Sequence, residues 1–80
     1  MFFTFKRKQQ KAKPTVPHLT PRQKDCLQYT ADGHTARSIA LRLGISERMV
    51  RFHLERARVR LNAGSTTQAV HLATKLELID

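Results

Sequence analysis

Eighty residues carrying 15 Lys and Arg against 6 Asp and Glu, for a formal charge of +9, point to a polyanionic partner, either nucleic acid or an anionic membrane surface. A chain this short makes one thin-cored domain that buries about 60% of its unfolded surface, and it offers little cavity for a substrate. The lone Cys26 excludes an internal disulfide and a CxxC pair, and no apolar run approaches the roughly 18 residues of a membrane span.

Residues 1–18 hold Lys6, Arg7, Lys8, Lys11 and Lys13, no acid, and two prolines, Pro14 and Pro17, a composition that predicts a flexible basic arm. An idle leader is the alternative. Phe2, Phe3 and Phe5 precede the positive charges, the reverse of a secretory signal, and beside the lysines they suit at most a weak, reversible membrane contact. The expected location is therefore the cytoplasm, with the nucleoid as the site of action.

Residues 19–80 read as four capped helices in one domain. The first opens with Thr20 as N-cap, Pro21 at the first helical position and Gln23 closing a capping box, and Gly33 stops it. Thr35 caps a short second helix that ends at Gly44. Ser46 caps the third, which runs from Glu47 to about Leu61 before Asn62 and Gly64 break it. The fourth begins at Ser65, with Gln68 as capping-box partner, and runs to about Leu76.

Apolar spacing assigns the buried faces: Leu19, Cys26, Leu27 and Ala31 for the first helix, Ile39, Ala40 and Leu43 for the second, and Val50, Leu54, Ala57 and Leu61 for the third. Cys26 is thus expected to be a small core residue, and His53, beside the third-helix stripe, a half-buried structural one.

The segment RSIALRLGISERMVRFHL sets a short helix, a tight turn at Gly44 and a capped second helix in succession, which is a helix-turn-helix. Gly44 supplies the left-handed backbone that so short a turn demands. Opposite the Val50 and Leu54 stripe lie Arg48, Arg51, Phe52, Glu55 and Arg58. An exposed phenylalanine among cations is a cost without a partner. In a major groove, Arg51 suits bidentate pairing with guanine, Phe52 a thymine methyl, and Glu55 the amino group of cytosine, with Arg48 and Arg58 neutralising phosphates. The bland alternative is a solvated arginine-rich helix. The helix starts at Thr20 and Thr35, with Arg22, Lys24 and Arg37 nearby, are expected to meet the DNA backbone and set the docking register.

The stretch LTPRQKDCLQYTADGHTARSIALRLGISERMVRFHLERARVRLNAGSTTQAV closely resembles the DNA-binding domain of the LuxR-type, GerE-like transcription regulators. Its most specific pieces are LTPR, the Gly33 stop, IAxxLGIS from Ile39 to Ser46, VRxHL from Val50 to Leu54, and TQAV from Thr67 to Val70. The resemblance implies an all-α, four-helix transcription regulator whose third helix enters the major groove of double-stranded DNA and whose fourth forms a homodimer contact. Carried over by position, Arg51, Phe52 and Glu55 fall where family members touch bases, and Arg48 where the recognition helix meets the backbone. On the fourth helix Ala69, Val70 and Ala73 look like core. Leu72, Leu76 and Ile79, at i, i+4 and i+7, form a second stripe suited to a two-fold pair.

Departures from the family pattern carry expectations of their own. The family usually has acids where this chain has Gln23 and Ser38, which predicts caps weaker by a few tenths to about 1 kcal/mol each, and Glu55 replaces a small or basic residue of many members. Only 18 residues precede Leu19, too few for a signal-binding pocket. Control is then expected from abundance, from a partner such as RNA polymerase, or from heterodimerisation with a longer LuxR-type regulator.

Two rivals belong to other classes. The LGIS turn and ERARVRL also resemble the promoter-reading region of bacterial sigma factors, although TTQAVHLATKLELI favours the LuxR reading. An interaction module that pairs with a longer regulator and silences it would need a damaged reading face, and Arg48, Arg51 and Arg58 are present. An enzyme is not expected: His18, His34, His53 and His71 lack metal-ligand spacing, no nucleophile and base pair up, and no metal or cofactor is implied.

Overall fold

Each helix starts directly after the residue whose side chain supplies the missing first-turn acceptor. The computed structural model describes residues 16–80, and among them the chain forms α1 (Pro21–Ala31), α2 (Ala36–Leu43), α3 (Glu47–Arg60) and α4 (Thr66–Lys75). The backbone N–H groups of Gln23, Ser38, Met49 and Gln68 donate to the hydroxyls of Thr20, Thr35, Ser46 and Ser65 at 3.0–3.1 Å. The α1 capping box closes as expected, Thr20 N–H donating to Gln23 Oε1 at 3.0 Å. At α4 the expected box does not form. Gln68 Oε1 accepts from Gly64 N–H, one residue earlier, so the side chain caps the incoming loop. The expected basic arm lies outside the described residues up to position 15. Its last residues are described: the His18 carbonyl accepts from Arg60 Nε at 3.1 Å.

The α2–α3 turn is set by backbone geometry. Gly44 has φ +70°, with nothing within 4 Å of where a Cβ would sit, so the left-handed conformation alone requires glycine there. Its N–H and that of Ile45 both return to the Ala40 carbonyl, at 2.9 and 3.1 Å, closing α2 and sending the chain into α3.

α3 is the central element, packing on α1, α2 and α4. Val50 joins Cys26, Ile39 and Ala40 in one buried cluster. Ala57 and Leu61 join Leu19, Leu27, Ala63, Ala69, Ala73 and Ile79 in the other, and Leu54 packs against both. The apolar stripe of α3 is therefore the seam between two half-cores. Cys26 is fully buried, and burial pushes its thiol up from the ordinary range, consistent with a packing role. Ala31 departs from expectation. As the last residue of α1 it is exposed, because the chain turns away at Asp32 and Gly33 before that position can face a neighbour.

Candidate nucleic-acid interface

Because Val50, Leu54 and Ala57 take the inner side of α3, residues offset by about half a turn are held outward. Arg48, Arg51, Phe52 and Glu55 are all exposed. The Arg51 side chain is 66% exposed and pairs with Glu47 at 3.2 Å across one turn, and Phe52 is 53% exposed, edge-on to the half-buried His53 at 5.7 Å. A surface ion pair of this kind contributes little, so Arg51 can exchange Glu47 for another acceptor. One face thus presents bidentate donors, an apolar ring and a carboxylate acceptor, the side-chain types that read base edges in a major groove.

Arg58, expected to neutralise a phosphate, is engaged within the chain. Its Nε and one terminal nitrogen fork onto the two carboxylate oxygens of Glu55, and the other terminal nitrogen donates to the Ala63 carbonyl at 2.7 Å. The side chain is 29% exposed. This hydrogen bonding, more than charge alone, holds the Glu55 carboxyl below the usual carboxylate range and pushes Arg58 up.

The family model for bacterial regulatory proteins of the luxR family matches residues 17–73. The chain belongs to the LuxR family. It is 48% identical over 61 residues to the quorum sensing-dependent transcriptional regulator RpaR of Rhodopseudomonas palustris, an overlap of 76% of this chain and 25% of that protein. It is 39% identical over 62 residues to the transcriptional activator LuxR of Aliivibrio fischeri, covering 78% of this chain and 25% of that protein. The chain therefore spans about a quarter of the length of the curated relatives it matches. Among solved structures, the transcription factor GerE superposes with a TM-score of 0.75 at 26% identity, covering 78% of this chain and 92% of GerE. The phage VqmA–DPO complex superposes with a TM-score of 0.70 at 32% identity, over 79% of this chain and 29% of that one. The four-helix helix-turn-helix is thus the DNA-binding domain of this family, whose members are transcription regulators and not enzymes.

In this LuxR-family domain the other expected contacts lie at helix starts. Arg22 and Lys24 sit on the first turn of α1, with Arg22 3.7 Å from Asp25. Thr35 is the α2 N-cap and Arg37 is exposed on the first turn. The Thr35 oxygen already accepts from Ser38 N–H, which leaves its O–H free to donate. Ser38 itself meets His34 Nδ1 at 3.0 Å, so this neutral side chain is satisfied within the chain.

The α4 stripe needs correction. Leu72 is half-buried against the core, Leu76 is 41% exposed and Ile79 is buried inside the chain. The helix ends at Lys75, and Glu77 turns the chain with φ +62°. Leu78 N–H then donates back to the Ala73 carbonyl at 2.8 Å and Asp80 N–H to Gln28 Oε1 at 2.7 Å. Helical spacing past Lys75 has no meaning once the helix has stopped. The outer face of α3 also carries Arg56 and Val59, which were not among the expected contacts; both are exposed, Val59 by 54%. Continuing the Arg48 and Phe52 positions by one further turn reaches Arg56 and by two reaches Val59.

Proposed function

We propose that the chain binds double-stranded DNA sequence-specifically as a homodimer, with α3 in the major groove. Arg51 pairs with guanine, Phe52 packs on a thymine methyl, Glu55 accepts from cytosine, and Arg48 meets phosphate, joined at the flanks by Arg22, Lys24, Thr35 and Arg37. The observation that carries this reading is the division of α3: Val50 and Ala57 fully buried, Arg51 and Phe52 held outward on the other side. Leu76 and the half-buried Leu72 form the α4 contact with a second copy.

The hydrogen bond from Arg60 to the His18 carbonyl starts the basic segment beside the C-terminal end of α3. Lys6, Arg7, Lys8, Lys11 and Lys13 of that segment add cations for phosphate contact. The exposed cations and phenylalanine also speak against the silencing-partner reading, which requires a spoiled reading face.

Selection of bound sites from a random duplex library tests the proposal. The expected product is a two-fold site whose half-sites lie about 10 base pairs apart; recovery of no preferred sequence would contradict it.

A further inference from the structure

Glu55 and Arg58 are three residues apart on one helix, and as an ordinary exposed pair they would contribute little. Two features set this pair apart. The contact is a two-pronged fork, which fixes the carboxylate plane as well as its distance, with Arg58 Nε to Glu55 Oε1 at 3.0 Å. The guanidinium is also anchored from behind, donating to the carbonyl of Ala63 at 2.7 Å. Ala63 is itself fixed. It is buried in the core cluster, follows Asn62 with φ +54°, and donates its N–H to the Arg58 carbonyl at 3.0 Å. A rigid point in the α3–α4 loop therefore orients a carboxylate on the outward face of α3.

A bare carboxylate entering a groove walled by phosphates meets like-charge repulsion and must also give up its rotamer freedom. The clasp removes both obstacles in advance. Arg58 cancels the charge, and the fork uses one lone-pair direction on each oxygen, leaving about two of the four for an incoming N–H. Three of the five guanidinium donors are already engaged within the chain.

We propose that Arg58 is a positioning residue for base readout: pinned to the Ala63 carbonyl, it holds the Glu55 carboxylate neutralised and oriented to accept a hydrogen bond from the amino group of cytosine, and does not itself neutralise a phosphate. This inference rests on the reading of α3 as the recognition helix.

The test compares the base preferences and salt dependence of the full chain with those of Glu55→Ala, Arg58→Lys, Arg58→Met and the Glu55→Ala/Arg58→Met double variant. Glu55→Ala is expected to lose preference at one base pair per half-site. Arg58→Lys, which keeps the charge without the fork, should lose roughly 5- to 10-fold discrimination at that same pair. In the Glu55→Ala background the Arg58 change should add nothing at that pair, a silence that a merely structural role would not produce. The Glu55→Ala/Arg58→Met double variant, which removes the neutralised pair as a unit, should leave the slope of affinity against salt as it is, whereas loss of a phosphate contact would lower it by about one.

Uniform weakening with a lowered slope overturns the proposal. If Arg51→Ala alters base preference while Glu55→Ala does not, the clasp has no reading role though α3 still does; if neither does, the recognition-helix reading falls as well. Should the Arg58 variants fail to fold, NMR of the unsubstituted chain decides. On addition of the selected duplex the Glu55 carboxylate carbon should shift while Arg58 Nε–H stays protected from exchange. An unmoved carboxylate, or an Arg58 Nε–H released from Glu55, overturns the proposal.

Discussion

Arg51 and Arg48 share a helix face yet differ in what their loss should reveal. Arg51, reaching past its weak partner Glu47, is expected on substitution by alanine to cost about 1–3 kcal/mol and to relax discrimination at one base pair. Arg48→Ala should weaken all sequences alike and lower the salt slope by about one; binding assays on selected and scrambled duplexes across a salt series separate the two. Glu55 adds a pH dependence. Its carboxyl is held below the usual range chiefly by hydrogen bonding to Arg58, so the ionised clasp is fully present above the unfolded-state value near 4.3 and is lost as pH falls through the lower folded value. Thermal melts should show a small stability loss over that acidic window, and Glu55→Gln should remove it. The outward set Arg48, Arg51, Phe52 and Glu55 was legible because it follows from the 3.6-residue period alone. The engagement of Arg58 within the chain was not legible, because its partner, the Ala63 carbonyl, is brought within reach by the left-handed Asn62, and no period encodes that loop geometry.

At the scale of elements, the helix starts were the most legible feature. A cap is a contact across three residues, and Thr20, Thr35, Ser46 and Ser65 each make theirs. The end of α4 was not legible, since Glu77 adopts φ +62° without the glycine or asparagine that usually marks such a stop. Continuing the period through it drew Ile79 into a surface stripe although it belongs to the core. Gly44 is the converse case, a left-handed residue that its type announces. Gly44→Ala should cost about 1–2 kcal/mol through backbone strain, since the space for a methyl is open. A denaturant melt with an unchanged m-value and a lower midpoint would register it. A neutral result would mean that the turn relaxes to another geometry, which should also disturb the reading angle of α3.

Across the whole molecule, the two half-cores meet along the inner stripe of α3, so the side that stabilises the fold and the side proposed to meet DNA are opposite faces of one helix. Removing residues 1–15 should leave the melt and the preferred site unchanged. The deletion spares the His18 carbonyl held by Arg60 and the buried Leu19. Its expected effect is a salt slope lower by up to about 4–5 if all five arm cations meet phosphates. An unchanged slope would make the segment an idle leader. The proposed dimer contact is tested by Leu76→Asp, which should shift sedimentation towards monomer and weaken binding to two-half-site duplexes far more than to single half-sites. It should scarcely affect the monomer's own stability, because Leu76 lies outside the buried core.

The central claim, that the outer face of α3 enters the major groove, is tested most directly by methylation protection on the selected duplex, because dimethyl sulfate marks guanine N7 in the major groove and adenine N3 in the minor. The account predicts that the bound chain shields guanine N7 in each half-site, and that Arg51→Ala restores reactivity at one guanine per half-site while protection elsewhere persists. Protection confined to adenine N3, or a guanine pattern indifferent to Arg51, would contradict it.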